Sequence, residues 1–174
     1  MKIVLYPDPI LRKITPRVED FGPPLAETAR EMLEFMYRSK GVGLAAPQVG
    51  LTLRLFVFNP SGDPAKKEEE GVLVNPRIVK RKGEAYGEEG CLSFPEIYGE
   101  VRRATWIRVE AQDLEGRPLE LEFQDFQARV VQHELDHLEG ILFVDRMEPA
   151  EKIRIRRQLE KLEREYKETR AAGH

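Results

Sequence analysis

The stretch QHELDH, residues 132–137, carries two histidines four positions apart and a glutamate directly after the first of them. On an α-helix this spacing puts His133 and His137 on one face, one turn apart, where both imidazoles can reach the same metal ion. The stretch therefore predicts a helix that bears a metal site, and the remaining elements of the fold have to pack around that helix.

Glu134 falls on the apolar side of this predicted helix. Helical spacing places Val130, Val131, Leu135 and Leu138 on one side, with Glu134 in the middle of it. A carboxylate in such a position loses hydration, and its pKa rises towards the range in which it can take and return a proton near neutral pH. The alternative is that both histidines lie at the edge of an ordinary core and that Glu134 turns outward.

The order of elements along the chain predicts an α+β fold. The predicted elements are a helix over 24–40, a loop over 41–50, a strand over 51–59, an exposed loop over 61–71, short extended pieces over 72–94, a hairpin of 105–112 and 119–125, the metal-bearing helix from near Asp125 to Gly140, and a helix from Pro149 onward. We expect short, mostly antiparallel sheets around a central metal-bearing helix, with a C-terminal helix, in a single domain over 1–174.

Composition and charge exclude several classes of protein. The formal net charge of −3 argues against a protein that coats nucleic acid in general, and no apolar run approaches the length that spans a membrane. The first residues have neither the apolar stretch nor the small-residue cleavage site of a signal peptide. A single cysteine, Cys91, cannot form an internal disulfide, which fits a reducing compartment. We therefore expect a cytoplasmic protein with no membrane partner.

A third metal ligand is needed, because two histidines leave the ion short of ligands. The one other histidine, His174, is the last residue of the sequence. Cys91 lies in the glycine-rich stretch GEEGCLSF, and a thiolate with two imidazoles leaves a fourth position for water, as in catalytic sites. Glu160 and Glu163 are alternatives, although their spacing to basic residues is typical of exposed ion pairs. Cys91 taken alone could equally be a small buried apolar residue.

Three segments, GVGLAAPQ (41–48), EGCLS (89–93) and QHELDH (132–137), resemble the three signature motifs of peptide deformylases, in that family's order. The resemblance extends from KIVLYPDPILR near the start to GILFVDR after the metal helix and on into the C-terminal helix. It implies an α+β enzyme that hydrolyses the amide of N-terminal formyl-methionine in newly synthesised polypeptides and releases formate.

The same resemblance implies roles for individual residues. Cys91, His133 and His137 would bind one divalent metal ion, natively Fe²⁺, although Zn²⁺, Ni²⁺ and Co²⁺ also suit this ligand set. Glu134 would be the general acid and base. The Gln48 side-chain amide and the backbone N–H of Leu92 would hold the reacting oxygen as negative charge develops on it. Without the family match, Gln48 would be interpreted as a loop residue that caps local backbone groups.

A pocket for the methionine side chain is expected beside the metal. Phe126 and Val130 lie on the helix face that bears His133, while Val42 and Gly43 resemble the family's opposite wall, where Gly43 allows close approach of an extended peptide. Ordinary core packing is the alternative for all four. Some members carry an arginine shortly after EGCLS, where this chain has EIYGE with Tyr98, so contacts beyond methionine are open.

The C-terminal segment 148–170 is predicted to be a basic amphipathic helix. It has eight basic and six acidic residues, a net charge of +2. The family resemblance implies that such a helix can dock on the ribosome, where phosphates supply the attraction; the alternative is a solvated helix with internal ion pairs. Two other functions stay open at this stage: a peptidase that cuts ordinary peptide bonds, and a non-catalytic metal- or ribosome-binding module.

Overall fold

The computed structural model describes residues 1–173 and confirms the α+β class. Three helices and seven strands follow one another as α1 (Pro23–Arg38), β1 (Gly43–Ala45), β2 (Leu55–Phe58), β3 (Gly71–Lys82), β4 (Ala85–Cys91), β5 (Phe94–Arg103), β6 (Trp106–Gln112), β7 (Pro118–Gln124), α2 (Asp125–Leu138) and α3 (Pro149–Ala172). Single 3₁₀ turns lie at Pro9–Arg12, Ala46–Val49, Lys67–Glu69 and Phe143–Arg146. The single-domain assignment over 1–174 stays a prediction, and His174 lies outside the described residues.

All strand pairings between these seven strands are antiparallel. Five strands form one sheet in the order β1-β2-β3-β6-β7, and β4 pairs only with β5 in a separate hairpin. The predicted hairpin is confirmed as β6 and β7, which pair from Trp106↔Gln124 to Gln112↔Pro118. The short strand β1 is an edge of the large sheet, so one of its sides is not paired within the sheet.

The predicted metal-bearing helix is confirmed as α2, which begins at Asp125 directly after β7. Gly140 follows its last turn with a φ of +71°, a left-handed conformation that glycine adopts without steric cost. The apolar side of α2 packs on the large sheet, where Val131, Leu135 and Leu138 share a buried cluster with strand residues. Burying these side chains is the main source of stabilisation for the element that carries the site.

The polar side of α2 is buried as well. Gln132 exchanges hydrogen bonds with the backbone of Ala104, donating at 2.9 Å and accepting at 3.1 Å, and Asp136 accepts from Arg103 and Arg146. These polar groups are satisfied by protein partners rather than by water, as burial requires. The helix is therefore enclosed on both sides, which a single amphipathic pattern does not indicate.

The prediction for residues 41–59 was wrong in two places. The segment 41–50 is not wholly a loop, because Gly43–Ala45 pair with Phe58–Phe56 as β1, and Ala46–Val49 form a 3₁₀ turn. The strand predicted over 51–59 is only Leu55–Phe58. Its residues are buried on both faces: Leu55 and Val57 pack under α1, while Phe56 and Phe58 pack under α2. A strand covered on both faces has no need of the alternation that the prediction relied on.

The extended pieces predicted over 72–94 are longer than expected. They form a twelve-residue β3 and the following β4, and β5 was not predicted at all. The pairing of β3 with β6 shifts register between Val74 and Arg77, where Pro76 has no N–H to donate. Because of this irregularity, the sequence pattern indicated short extended pieces where the structure has one long strand.

The helix predicted from Pro149 is confirmed as α3. Ile155 and Leu162, two of the four residues of its predicted stripe, are buried in a second cluster with Phe94 and Val101 of β5 and Phe143. This cluster packs the β4–β5 hairpin against α3 and the Phe143–Arg146 turn, and the Phe143 ring centroid lies 5.7 Å from that of His133 on α2. Within residues 1–173 no helix has the length and apolar character needed to cross a membrane.

Candidate metal centre

The three predicted metal ligands come together at one point. The ligand atoms of Cys91, His133 and His137 all lie within 4.8 Å of one another, and the distance from Cys91 Sγ to His137 Nε2 is 3.4 Å. Cys91 is the last residue of β4, and the histidines lie one turn apart on α2. The alternative ligands Glu160 and Glu163 lie on α3 instead, where they accept hydrogen bonds from Arg156 and from the Tyr6 hydroxyl.

This donor set fits a divalent transition metal. The Nδ1 atom of His133 is hydrogen-bonded to Glu89 Oε1 at 2.8 Å, which leaves Nε2 as the free ligand atom of that ring. A carboxylate on the far nitrogen of a histidine is the usual way in which proteins orient such a ligand. One thiolate and two imidazoles suit iron, cobalt, nickel or zinc, and three protein ligands leave a position open.

Glu89 is a site residue that the sequence reasoning missed. Its carboxylate accepts two hydrogen bonds from Arg103, at 2.8 and 2.9 Å, and Arg103 also donates to Asp136 at 2.6 Å. Burial alone would raise the pKa of Glu89, but the hydrogen bonds from Arg103 and His133 outweigh burial and hold this pKa well below its usual range. A signal existed, because residues two apart on a strand share a face, and Glu89 stands two before Cys91.

Glu134 lies where the helical spacing placed it. Its side chain is buried. Among residues 1–173 no group forms a hydrogen bond with its Oε2 atom, which is itself shielded from solvent. Burial raises the pKa of Glu134 to about 7, with Glu89 adding to the rise and His133 opposing it. Such a carboxyl group is suited to exchanging a proton near neutral pH. The alternative, a glutamate turned outward, is wrong.

Gly43 provides the space for that carboxylate. A Cβ atom at position 43 would lie 2.6 Å from Glu134 Oε1, closer than side chains approach one another. Gly43 thus contributes to the site because it has no side chain that would clash with Glu134. It also lines the cavity described below.

Gln48 lies in the 3₁₀ turn after β1 and points its amide at the same centre. Its Oε1 accepts the Ala45 N–H at 3.0 Å, which fixes the amide orientation. Its Nε2 then lies 3.4 Å from Cys91 Sγ and 3.2 Å from Ser93 Oγ. Gln48 therefore both caps local backbone and presents a donor to the site, so the two interpretations are compatible. Ser93, the last residue of EGCLS, was not anticipated as its partner.

A cavity of about 440 Å³ opens beside these groups. All four predicted pocket residues line it, together with Gln48, Leu92 and Glu134; the four are Val42, Gly43, Phe126 and Val130. Phe126 is 52% exposed, so core packing does not explain it, whereas Val130 is also part of the core under α2. Tyr98 lines the cavity too, and its ring lies over Gly90, where a Cβ atom would come within 2.6 Å.

Comparison with known proteins gives one consistent result. The sequence profile of the family described as polypeptide deformylase matches residues 1–153. Peptide deformylase 1B, chloroplastic/mitochondrial, of Arabidopsis thaliana is 46% identical over 97% of this chain and 62% of its own length. The peptide deformylase of Alkalilimnicola ehrlichii is 46% identical over 95% of this chain and 92% of its own length.

Solved structures agree with the sequence comparisons. A crystal structure of Arabidopsis thaliana peptide deformylase 1B with an inhibitor superimposes with a TM-score of 0.94 at 46% identity, covering 97% of this chain and 93% of that one. The crystal structure of peptide deformylase from Thermus thermophilus gives a TM-score of 0.85 at 46% identity, covering 94% and 97%. The chain spans about three fifths of the length of the plant relatives it matches.

Proposed function

The chain belongs to the peptide deformylase family, and we propose that it removes the formyl group from the N-terminal formyl-methionine of newly synthesised polypeptides, releasing formate. The observation that carries this proposal is Glu134, a buried carboxyl group with a pKa of about 7 beside three metal-ligand side chains and an open cavity. A buried carboxyl group left without a partner is costly to the fold, which is typical of groups kept for chemistry.

We assign Cys91, His133 and His137 as the ligands of one divalent metal ion. When bound, the metal supplies a Lewis acid that lowers the pKa of water and draws electrons from the formyl carbonyl. Glu134 accepts the proton of the attacking water at its carboxylate. A bond then forms between the water oxygen and the formyl carbon, and Glu134 returns the proton to the amine nitrogen as the C–N bond breaks.

The formyl oxygen gains negative charge in this reaction. Gln48 Nε2 and the Leu92 backbone N–H are the proposed donors to it, and such donors act most strongly on charge that develops in the transition state. The position of Gln48 supports this role because its oxygen is held by the Ala45 N–H, which leaves the amide N–H groups directed at the site. The amide plane of Gln48 is thus oriented before substrate arrives.

The cavity of about 440 Å³ is proposed to hold the methionine side chain. Phe126 and Val130 line it from α2 and Val42 from the segment before β1, and Gly43 and Glu134 line it as well. A methionine side chain is flexible and apolar, and it gains free energy when such a pocket removes it from water. The formyl group of the same residue would then lie next to Glu134.

Ferrous iron is proposed as the native metal. The support is the family membership and the thiolate ligand, which also accepts zinc, cobalt or nickel. Metal analysis of protein purified without oxygen tests the identity directly: iron at one equivalent is expected, and one equivalent of zinc in its place would contradict the assignment.

The basic helix α3 is proposed to contact ribosomal RNA. Lys152, Arg156 and Arg157 are exposed on its first turns, although Arg156 also pairs with Glu160. Co-sedimentation with ribosomes at rising salt tests this, because phosphate contacts weaken steeply with salt. Charge reversal of the three residues should abolish co-sedimentation; unchanged binding would leave α3 as a solvated helix.

A cytoplasmic location is also proposed, since a half-buried thiolate ligand requires a reducing compartment. The plant relative named above is a chloroplastic/mitochondrial protein by its name, so compartments differ among relatives. Fractionation of the native host, with formate-releasing activity as the marker, tests the location. Activity confined to another fraction would contradict it.

The proposed reaction is tested by formate release from formyl-Met peptides, compared with cleavage of the same peptides lacking the formyl group. Formate release without peptide-bond cleavage is expected; cleavage of the unformylated peptides alone would indicate a peptidase.

Glu134→Gln should lower kcat/KM at least about 100-fold with metal retained. Glu139→Gln is the matched control, because Glu139 follows the same helix and pairs with Arg54, away from the cavity. Full activity of Glu134→Gln would favour a metal-binding module without this chemistry.

A further inference from the structure

Arg129 connects the helix of the proposed metal centre to the hairpin that carries Cys91. It lies on α2 one turn before His133, and its side chain is only 12% exposed. Its Nη1 atom is 2.8 Å from both Glu89 Oε2 and the Val101 carbonyl oxygen, and its Nη2 atom is 2.8 Å from the Ala85 carbonyl oxygen. The guanidinium group of Arg129 therefore donates to backbone oxygens of both β4 and β5 and to the carboxylate of Glu89 on β4.

The hairpin has a gap shaped for this guanidinium. Gly87 pairs with Val101 at the point where Arg129 crosses, and a Cβ atom on Gly87 would lie 2.9 Å from Arg129 Cζ. A side chain there would push the guanidinium away from the strands. The glycine thus allows the close approach of α2 and the hairpin that the hydrogen bonds of Arg129 require.

Glu89 transmits this contact to the ligands. Its Oε2 atom accepts from Arg129 and Arg103, while its Oε1 atom is bonded to His133 Nδ1. Glu89 is also two residues before Cys91 on β4, so its position is tied to that of the thiolate. Arg103 reaches Glu89 from β5 of the same hairpin and also donates to Asp136 on α2. His133 and Arg129 both bond to Glu89 from α2, and of these two Arg129 also donates to backbone carbonyl oxygens of both hairpin strands.

We propose that Arg129 is a positioning residue that holds Cys91 and His133 at the separation required by the metal ion. The inference rests on the proposed metal centre. Arginine suits this task because its planar fork can donate to three acceptors at once, whereas the single ammonium of lysine cannot span them. Groups that orient metal ligands in this way typically change metal affinity about 10- to 100-fold when they are removed.

The test measures the dissociation constant for Co²⁺ directly, by competition with a chelator and by the visible absorption of the bound ion. Arg129→Ala should raise this constant about 10- to 100-fold, and Arg129→Lys should restore only part of the loss. Arg154→Ala is the matched control: Arg154 also donates to the hairpin, at the Tyr98 carbonyl oxygen, but from α3 and without touching Glu89. Its Co²⁺ affinity should equal that of the wild-type protein.

A double-mutant cycle separates positioning from general stabilisation. If Arg129 acts through Glu89, Arg129→Ala should change the Co²⁺ dissociation constant less than about 3-fold in a Glu89→Gln background, because coupled residues are not additive. Equal Co²⁺ affinity in Arg129→Ala and wild type would overturn the proposal, as would an undiminished effect in the Glu89→Gln background. Far-UV circular dichroism confirms folding, and Arg129→Gln, which keeps most of the aliphatic stem, replaces any alanine variant that does not fold. Absence of Co²⁺ binding in the wild-type protein would instead refute the metal centre itself.

Discussion

Glu134 should destabilise the metal-free protein above neutral pH. Its pKa is raised by burial from an ordinary 4.5 to about 7, and one pH unit of difference corresponds to ~1.4 kcal/mol. A folded-state pKa above the unfolded value means that the stabilising contribution is fully present below about pH 4.5 and is lost as pH rises through about 7. Ionising the buried side chain should then cost ~3 kcal/mol of unfolding free energy.

Glu134→Gln removes the ionisation and retains the shape. We expect the unfolding free energy of the metal-free variant, relative to wild type, to rise by ~3 kcal/mol between pH 4.5 and pH 8. The comparison across pH matters more than either value alone, because any cost of burying the glutamine amide is the same at both pH values. Other titrating groups are common to the two proteins, so their contributions cancel except for that of His133, whose charge interacts with the Glu134 carboxylate.

Urea unfolding followed by the fluorescence of Trp106, the one tryptophan of the chain, provides the measurement. The thiol of Cys91 is kept reduced and metal is removed with a chelator. Equal m-values for the two proteins would confirm that the same surface is exposed on unfolding. Parallel stability curves for wild type and variant from pH 4.5 to pH 8 would refute the idea that Glu134 is buried at the expense of stability.

Three further predictions concern the metal-loaded protein and its proposed activity. Gly43→Ala should lower kcat/KM for formyl-Met peptides at least about 10-fold with metal retained, because its Cβ would lie 2.6 Å from Glu134 Oε1. Gly41→Ala, whose nearest contact would be the tip of the Leu92 side chain at 3.0 Å, should lose less, and equal losses would contradict the reasoning. The kcat/KM–pH profile should fall on the acid side as Glu134 gains a proton. Its midpoint should lie above the ordinary pKa of 4.5 and, because a bound dication lowers the pKa of a nearby carboxyl group, no higher than about 7. A profile that rises with acid would exclude Glu134 as the base. Phe126→Ala should leave the urea midpoint within error, because Phe126 is 52% exposed, and raise KM several-fold; a large stability loss would return Phe126 to the core.

The elements with strong local patterns were predictable from sequence. The 3.6-residue spacing of α1, α2 and α3 and the turn between β6 and β7 are properties of a few adjacent residues, and all four were found. The strands that failed depend on distant partners. Gly43–Ala45 is a strand only because Phe56–Phe58 lies beside it, and β5 exists as the partner of β4. The residues within each of these segments do not indicate which distant strand will pair with it.

The residues of the candidate site also divide into those that the sequence predicted and those that it did not. The proposed metal ligands, Glu134 and Gln48 lie in three recognisable motifs, so their approach in space could be expected, and the structure brings them together. Glu89 and Arg129 were missed, because a carboxylate and an arginine are ordinary surface residues in most sequences. Only the fold shows that Glu89 is buried and that Arg129 is bonded to it. The role of Ser93 was hidden for a similar reason, since its hydroxyl meets Gln48 from a different segment.

The edge position of β1 has a consequence for how selective such an enzyme can be. Gly43 begins that strand and lines the cavity, so a polypeptide entering the site would run alongside an unpaired edge of the sheet. Backbone N–H and C=O groups would hold it there, and every amino acid except proline offers both. Contacts of this kind depend on the peptide backbone, so a preference for the first residue would come from the cavity that holds its side chain. A protein with the proposed function could in this way act on many different chains, because the feature it requires is one that they share.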